Sequence, residues 1–367
     1  MDKKYTKKDL IRLQSRPLGE QYNFATTRMI EAIQETLGDI LLCFSGGKDS
    51  ALLLDMYCEI ASKMFGMKDI HVGYADTTNE TKAMREYVPW FIKRCEEKYG
   101  VKIHMTTTRP EGGATFASVV RDNGVPFISK MLAGTIRKTK KSMEEAGVTY
   151  DDIIKYAKQD IQSRDALREM GLNDTAVLAL TGWSCRRNDF GNAFKIAKRW
   201  LPLLNCDVPI TNECCIILKE TPLHSLQYPN EMTGEQASES QMREASWLQH
   251  GCNYSPSPGR YKSSPFGALS GQAILCAIQH RNVPICSDYG EVEKCGDCYR
   301  CTKAQRTGCA LCGFGIVYDP ERFVRLQETE PAKVAWAFKP RAEGGAGYRE
   351  LCEYSNEFCG TKIVIPK

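Results

Sequence analysis

Residues 40–50 read ILLCFSGGKDS, an apolar run that ends in a glycine-rich turn. The apolar residues predict a short buried strand, and the apolar spacing over residues 51–61 predicts a helix directly after the turn. Two consecutive glycines let the backbone adopt positive φ, and the start of a helix presents free N–H groups. Strand, turn and helix together predict a phosphate-binding loop.

The polar side chains of this loop suit an anionic ligand. Lys48 supplies a positive charge for phosphate, and Ser45 and Ser50 supply hydroxyl groups. Asp49 can cap the helix or help to hold Mg²⁺. The spacing differs from that of a Walker loop, which requires G-x-x-x-x-G-K-[ST].

The residues after the loop repeat the alternation of strand and helix. Strands are predicted at residues 71–76 and 102–108, with a helix at residues 81–98 between them. This order predicts an α/β fold with a doubly wound parallel sheet. Asp76 ends the second strand, where parallel sheets place ligand groups, so it is a candidate for Mg²⁺ or for a substrate hydroxyl. An ordinary aspartate in a turn is the alternative.

Composition narrows the class of protein. The chain has 367 residues and 42% hydrophobic residues, which indicates folded domains. Its net charge of +4 is too small to indicate a nucleic-acid-binding surface by itself and leaves the partners undecided. No apolar run reaches the ~18 residues of a membrane helix, and the basic N-terminus lacks the apolar core of a signal peptide. We therefore expect a cytoplasmic protein with no membrane partner. Its 17 cysteines then point to metal ligands or redox groups instead of disulfides.

The expected organisation has three parts. A helical segment, residues 1–30, precedes a nucleotide-binding domain at residues 31–250 that has a helical insertion at about 130–205. A cysteine-rich metal-binding lobe and a C-terminal tail follow at residues 251–367. The basic stretch at residues 136–141 is interpreted as a solvated helix face, with a nucleic-acid contact as the alternative. The apolar residues 174–183 fit a strand and a buried helix equally.

The motif SGGKDS resembles the PP-loop of the ATP pyrophosphatase (adenine nucleotide α-hydrolase) superfamily. Residues 13–18, 76–80 and 124–130 extend the resemblance to the phosphoadenosine phosphosulfate (PAPS) reductase-like family, over roughly residues 8–323. In the superfamily the loop binds the β- and γ-phosphates of ATP, and the α-phosphate is attacked. The resemblance implies ATP and Mg²⁺ at the loop, with Lys48 and Asp49 as catalytic residues and the following as binding residues: Ser45, Gly46, Gly47, Lys48, Asp49, Ser50 and Asp76.

Residues 232–243, MTGEQASESQMR, resemble the G-x-R-x-x-E-S-x-x-R segment of the same family. The resemblance implies nucleotide contacts from Gly234, Ser240 and Arg243. No arginine lies between Gly234 and Glu239, where reductases carry one that helps to bind the sulfonucleotide. True reductases also have an altered loop in place of SGGKDS. Both departures favour cleavage of ATP over reduction of a sulfonucleotide.

Residues 214–223, CCIILKETPL, resemble the CC-x-x-[RL]-K-x-x-P-L segment of sulfonucleotide reductases. The resemblance implies a [4Fe–4S] cluster held by Cys214, Cys215, Cys309 and Cys312. Neighbouring residues of a helix face different ways, so Cys214 and Cys215 can share a cluster only at a helix end or a distorted turn.

A second set of ligands is possible within residues 295–312, which have the spacing C-x2-C-x2-C-x7-C-x2-C. That spacing fits zinc as well as iron–sulfur. In this alternative the ligands are four of the five cysteines Cys295, Cys298, Cys301, Cys309 and Cys312. Cluster ligands this close together in the chain resemble those of the ATP-dependent subunit of DNA phosphorothioation systems.

Two further cysteines have alternative interpretations. Cys252 is interpreted as a buried thiol, with a spare ligand as the alternative. Cys359 is interpreted as a chance cysteine near the terminus, with a mobile thiol that attacks an activated sulfur as the alternative.

The expected function is ATP-dependent adenylyl transfer that releases pyrophosphate. It would be coupled to iron–sulfur-dependent transfer of sulfur to a nucleic acid or a small molecule, with a cysteine desulfurase or a similar protein as a possible sulfur donor. One alternative is a PAPS or APS reductase. The other is a zinc-binding, nucleic-acid-binding or regulatory protein in which the loop senses a nucleotide. The oligomeric state is left open.

Overall fold

The computed structural model describes residues 3–367. The chain forms two compact units, each built from separated segments. The first contains the described residues up to Asp76 together with Glu80–Arg109 and Thr221–Gly308, and the second contains Thr77–Asn79, Pro110–Glu220 and Cys309–Lys367. The segment expected as one cysteine-rich lobe from residue 251 is thus divided after Gly308. The second unit takes in residues 110–220, a longer stretch than the insertion expected at about 130–205.

The strands are short except for two in the first unit. In chain order they are β1 (Leu41–Cys43), β2 (Asp69–Ala75), β3 (Lys102–Thr108), β4 (Phe127–Ile128), β5 (Trp183–Ser184), β6 (Asp189–Phe190), β7 (Asn230–Thr233), β8 (Asn253–Tyr254), β9 (Tyr261–Ser263), β10 (Val292–Cys295), β11 (Cys298–Cys301) and β12 (Gly313–Phe314).

The helices make up most of the regular structure. They are α1 (Lys7–Gln14), α2 (Leu18–Thr36), α3 (Lys48–Phe65), α4 (Lys82–Tyr99), α5 (Phe116–Asn123), α6 (Lys130–Ala146), α7 (Tyr150–Ile154), α8 (Ile161–Glu169), α9 (Asp174–Thr181), α10 (Glu213–Cys215), α11 (Thr221–His224), α12 (Gln241–His250), α13 (Gly271–His280), α14 (Arg322–Thr329), α15 (Pro331–Phe338) and α16 (Tyr348–Cys359). Among residues 3–367, no helix combines the length and apolar character that crossing a membrane requires.

The first unit contains a six-stranded sheet in the order β3-β2-β1-β7-β9-β8. All neighbouring strands are parallel except β8 and β9, which are antiparallel. The chain adds β2 and β3 on one side of β1 and later adds β7 and β9 on the other side. This reversal of direction confirms the doubly wound α/β fold. It also places the carboxyl ends of β1 and β7 at the point where such sheets bind ligands.

The ambiguous apolar run at residues 174–183 is mainly the helix α9. The Asn173 side chain accepts a hydrogen bond from the Ala176 N–H (3.0 Å) and so caps its first turn. Gly182 ends the helix with φ 82°. Because α9 is buried on several sides, its sequence has no polar face that periodicity could detect.

A buried ion cluster connects α3 with α4 and α13 in the first unit. Asp55, on α3, is 0% exposed and accepts hydrogen bonds from Arg281 (2.9 Å), Lys98 (3.0 Å) and Arg94 (3.2 Å). Burial disfavours the charged carboxylate, but the hydrogen bond and charge of Arg281, followed by those of Lys98, outweigh burial and lower the pKa of Asp55. The cluster therefore fixes the helix that begins at the predicted loop.

The second unit is organised around a very short parallel pair. Phe127 and Ile128 of β4 pair with Gly313 and Phe314 of β12. Val125, just before β4, forms a parallel bridge with Ile210. Three distant parts of the sequence therefore meet at residues 125–128.

We expect Asp55→Asn to lower the free energy of unfolding by about 3 kcal/mol, because three cations would lose their buried counter-charge. The folded-state pKa of Asp55 lies below its unfolded value of about 3.9, so its contribution is present above that pH and is lost as the pH falls through the folded pKa. The difference between wild type and variant should therefore shrink in acid. Urea unfolding at neutral and acidic pH measures both effects.

Asp122→Asn is the matched control, since Asp122 pairs with Arg121 at the exposed surface. Its unfolding midpoint should equal that of the wild type. An equal loss of stability in the two variants would contradict the role of the buried cluster.

Candidate functional site

Residues Ser45–Ser50 follow β1 and run into the first turn of α3, which begins at Lys48, so the predicted order of strand, turn and helix is confirmed. Gly46 has φ +74°, and a Cβ there would lie 2.3 Å from Met84 Sδ and 2.9 Å from Val88 Cγ2. Gly47 is the N-cap of α3 and makes no side-chain capping bond. Glycine is therefore required at position 46 for two reasons: the backbone has positive φ, and α4 packs too closely against the loop for a side chain.

The two serines shape the loop. The Ser50 hydroxyl accepts the Ser45 N–H (3.2 Å) and donates to the Gly47 carbonyl (2.9 Å). The Ser45 hydroxyl accepts a long hydrogen bond from the Gly47 N–H (3.4 Å). These contacts hold the turn in one conformation while α3 begins behind it.

Lys48 and Asp49 form an ion pair at the start of α3. Lys48 Nζ lies 2.9 Å from Asp49 Oδ2, and both side chains are largely shielded from solvent. Burial opposes the charge of Lys48, but the Asp49 carboxylate and then Tyr289 outweigh burial and raise the pKa of the ammonium. Gln236 Nε2 also donates to Asp49 Oδ1 (3.0 Å). Lys48 is therefore a fixed positive charge beside the loop.

Tyr289 is a loop contact that sequence reasoning missed. Its buried hydroxyl accepts the Lys48 N–H (3.2 Å) and contacts the Thr307 hydroxyl (2.5 Å). The Tyr289 hydroxyl thus accepts one of the N–H groups at the start of α3, and a bound phosphate oxygen would compete with it for that N–H. Tyr289 lies more than two hundred residues after the loop, and no motif in the sequence marks it.

Gly234 lies beside the loop because β7 is the parallel neighbour of β1. A Cβ at Gly234 would lie 3.1 Å from the Asp49 carbonyl oxygen, so the two backbones approach closely. Gly234, predicted to contact the nucleotide, thus packs directly against the backbone at the start of α3.

The other predicted nucleotide contacts are engaged in local interactions. The Ser240 hydroxyl caps α12 by accepting the Arg243 N–H (3.2 Å). The Arg243 guanidinium forms hydrogen bonds to Glu239 and Glu235. Asp76 follows β2 and accepts a hydrogen bond from Arg109 Nε (2.8 Å). Their roles in binding a nucleotide remain predictions.

Cys214 and Cys215 lie at the end of α10, which continues directly into a π-helix at Ile216–Glu220. The two cysteines thus lie at a helix end, where adjacent residues can face one site, and their role as ligands stays a prediction. Cys309 and Cys312 bracket a tight turn in which the Cys312 N–H bonds to the Cys309 carbonyl (3.1 Å). All four residues belong to the second unit.

The four thiols are within electrostatic reach of one another. A hydrogen bond with Cys215, followed by burial and by the charges of the other cysteines, raises the pKa of Cys214. The same hydrogen bond lowers the pKa of Cys215 to about 7, with help from Lys130 and Lys219. Burial raises the pKa of Cys312 to about 12. The four cysteines therefore influence one another electrostatically, and their role as a ligand set stays a prediction.

Two buried donors beside these thiols have no hydrogen-bond partner among the described residues, Asn79 Nδ2 and Arg322 Nε. Asn79 accepts the N–H groups of Ala310 and Leu311, and Arg322 Nη2 donates to the Cys309 carbonyl (3.0 Å). Both side chains are thus fixed against the Cys309–Cys312 turn. Unpaired donors beside thiols fit an anionic iron–sulfur cluster, whose sulfurs accept hydrogen bonds.

Metal coordination is not seen in the arrangement of the side chains. Within residues 3–367, no group of three or more histidine, cysteine, aspartate or glutamate side chains is positioned to hold a metal ion. The alternative ligands lie in the hairpin of β10 and β11, where Cys295 and Cys298 are exposed and Cys301 is buried. Side chains alternate between the two faces of a strand, so Cys301 faces away from the other two.

Three remaining predictions have clear structural outcomes. Cys252 is a buried thiol that accepts a hydrogen bond from Trp247 Nε1 (3.4 Å). The mobile terminal thiol is wrong for Cys359, because Cys359 is 5% exposed in the core and burial raises its pKa to about 11. The solvated helix face predicted for residues 136–141 holds only in part, because Lys138 and Lys141 are exposed whereas Arg137 pairs with Glu213 (2.5 Å) and Lys140 donates to the Cys206 carbonyl (2.7 Å).

These features define an α/β nucleotide-binding protein with its loop at the switch point of the sheet. Residues 39–205 match the family model described as phosphoadenosine phosphosulfate reductase domain, so just under half of the chain carries a domain of this family. The resemblance to the PAPS reductase-like family is thereby confirmed. We found no curated protein whose sequence matches this chain.

Two solved structures are similar to this chain. One is the phosphoadenylyl-sulfate (PAPS) reductase of Candida auris in a phosphate complex, with 13% identity, 80% coverage of this chain, 95% coverage of that chain and a TM-score of 0.33. The other is the FMN adenylyltransferase of Candida glabrata in complex with FMN and the ATP analogue AMPCPP. It has 12% identity, 77% coverage of this chain, 66% coverage of that chain and a TM-score of 0.34. At these scores the family assignment rests on the matched segment alone.

We expect Gly46→Ala to destabilise the protein by about 2 kcal/mol more than Gly100→Ala. Both glycines have positive φ, but a Cβ at Gly100 would meet nothing within 4 Å, whereas at Gly46 it collides with Met84 and Val88. Backbone strain is present in both variants, so the difference between their free energies of unfolding reports the packing of the loop against α4. Urea unfolding measures it, and equal losses would show that the loop is not packed as described.

Proposed function

We propose that the protein is an enzyme that cleaves ATP between its α- and β-phosphates, transfers the adenylyl group and releases pyrophosphate. We further propose that this reaction is coupled to transfer of sulfur to a nucleic acid or a small-molecule acceptor. The observation that carries the first part is the loop at Ser45–Ser50, which has a fixed turn, a charged lysine and the start of α3 at the carboxyl end of β1.

The chain supplies mainly electrostatic catalysis. N–H groups at the start of α3 and the Lys48 ammonium would bind the β- and γ-phosphates and stabilise the departing pyrophosphate. Lys48 would exchange its contact with Asp49 for a phosphate oxygen, which frees the Asp49 carboxylate to hold the Mg²⁺ that accompanies ATP. Tyr289 would give up its bond with the Lys48 N–H at the same time.

Gln236 supports ATP over a sulfonucleotide as the substrate. It lies in the segment where reductases carry an arginine, and its buried amide donates to Asp49. A neutral amide in this position cannot supply the bidentate positive charge of a guanidinium. Arg243, a nearby guanidinium in the sequence, is already paired with Glu239 and Glu235.

Sulfonucleotide reduction is the second candidate, because the matched family model is that of PAPS reductase domains. That reaction would need the sulfonucleotide at the same loop and an external dithiol such as thioredoxin. It differs from the first candidate in its substrate and its product, so a direct assay separates them.

The second unit supports a [4Fe–4S] cluster as the cofactor. Cys214, Cys215, Cys309 and Cys312 would hold it, and the unpaired Asn79 Nδ2 and Arg322 Nε would lie near its sulfurs. Such a cluster, when bound, would supply electrons or a site for sulfur. The chain's part would be to hold the four thiols in the second unit, where Lys130 and Lys219 favour the thiolate of Cys215. Zinc is the alternative metal for the same thiols.

We expect Lys48→Gln to weaken binding of α,β-methylene-ATP with Mg²⁺ by about 10-fold or more, the loss of a charged hydrogen bond to phosphate. Lys63→Gln is the matched control, because Lys63 lies on the same helix and pairs with Glu59 at the surface. Calorimetry measures both affinities. Equal affinities would remove Lys48 from the phosphate site.

The two candidate reactions are separated with natural substrates under anaerobic conditions. Formation of AMP and pyrophosphate from ATP supports the proposal. Release of sulfite from PAPS or APS in the presence of thioredoxin, without cleavage of ATP, would establish the second candidate.

We expect the anaerobically purified protein to contain about four irons and four sulfides per chain. Cys309→Ser should lose most of this iron, because it removes one of the four thiols. Cys185→Ser, at an exposed cysteine outside this group, should keep the wild-type content. Zinc in place of iron would contradict the redox part, and full iron in Cys309→Ser would contradict the ligand set.

A further inference from the structure

The hairpin of β10 and β11 places two cysteines directly opposite each other. Cys295 and Cys298 are Cα partners in the antiparallel register and are separated in sequence only by Gly296 and Asp297. Gly296 has φ +62°, as a tight two-residue turn with glycine in its first position requires. Both thiols are exposed.

The register suits a bond between the two sulfurs. Directly opposed residues of antiparallel strands have Cα atoms about 4.5–5.5 Å apart, and their side chains lie on the same face. Disulfides form at Cα separations of about 4.4–6.8 Å. The register thus gives a Cα separation within the range of disulfides, and the bond forms after Cys295 Sγ leaves its present contact with Glu293 Oε1 (3.4 Å) and the two Cβ atoms move slightly closer.

The rest of the hairpin is anchored, so the two thiols stay opposed. The Tyr299 N–H donates to Gln272 Oε1 (2.6 Å) and Gln272 Nε2 donates to the Tyr299 carbonyl (3.0 Å), which fixes β11 on α13. On the exposed face, the next cross-strand pair is the ion pair of Glu293 and Arg300 (2.7 Å). Cys301 belongs to the opposite, buried face. The exposed pair therefore stands apart from the third cysteine of the motif.

We propose that Cys295 and Cys298 form a reversible disulfide and that the hairpin is a dithiol–disulfide exchange site. A thiolate of the pair attacks one sulfur of a low-molecular-weight disulfide and releases one thiol. The second cysteine then attacks the mixed disulfide and releases the other thiol. The pair loses two electrons and two protons, and the small disulfide is reduced to two thiols. This inference does not depend on the proposed function, because it needs neither ATP nor a cluster.

The location of the pair favours reversibility. The sulfurs are exposed to small thiols. A disulfide here would close a loop with only two intervening residues, and so short a loop restricts the unfolded chain little and stabilises the oxidised form little. Exposed disulfides of this kind are the labile ones, in contrast to buried structural disulfides. The pair should therefore respond to the ratio of disulfide to thiol in its surroundings.

The test uses the full-length, anaerobically purified protein in buffers of reduced and oxidised glutathione. Free thiols are trapped by alkylation, and peptides are identified by mass spectrometry. Cys295 and Cys298 should lose their free thiols together, as one cross-linked peptide without glutathione. The exposed Cys185 serves as the reference, because it can only acquire glutathione. The cross-link should form at a ratio of oxidised to reduced glutathione at least ~10-fold lower than the ratio at which Cys185 is modified, because the second thiol of the pair is already in place.

Two variants complete the test. In Cys295→Ser, Cys298 should instead acquire a stable glutathione adduct, whereas Cys185→Ser should leave the cross-link of the hairpin unchanged. Separate glutathione adducts on Cys295 and Cys298 in the wild type would overturn the proposal. A metal ion that the wild type retains and Cys295→Ser loses would also overturn it, because the two thiols would then be ligands.

Discussion

The close packing of α4 against the loop after β1 is the constraint on which the proposed chemistry depends. Met84 and Val88 leave no space for a side chain at Gly46, and the backbone there has positive φ. The hydrogen bonds of Ser45 and Ser50 hold the remainder of the turn. A rigid turn aims the start of α3 in one direction, so phosphate binding leaves the backbone of the turn in place and changes only the contacts of Lys48 with Asp49 and Tyr289. The buried carboxylate of Asp55 extends this rigidity along α3 by joining it to α4 and α13.

Local signals in the sequence predicted the loop and its neighbours well. The strand, the two glycines and the following helix are contiguous, and β3 spans the residues predicted for it, 102–108. The position of Gly234 beside the loop follows from the parallel pairing of β1 with β7, which the family resemblance anticipated. By contrast, Tyr289 reaches the loop through tertiary packing alone. No periodicity or spacing could have identified it.

The division of the chain was the least predictable property, again for a physical reason. The second unit takes its core from residues 110–220 and from residues after Cys309, and the only strands that pair between these two described segments are β4 and β12. A pairing of two residues per strand leaves almost no pattern in the sequence. Cys214 and Cys309, far apart in the chain, both belong to this unit. Burial likewise rules out the alternative of a mobile thiol for Cys359, which the sequence interpretation had left open beside a chance cysteine near the terminus.

The most direct test is a crystal structure of the protein with α,β-methylene-ATP and Mg²⁺. The account predicts phosphate oxygens within hydrogen-bond distance of the N–H groups at the start of α3, with Lys48 Nζ on a phosphate oxygen and the Tyr289 hydroxyl displaced from the Lys48 N–H. A triphosphate bound elsewhere, with the contacts of Lys48 to Asp49 and Tyr289 intact, would contradict it.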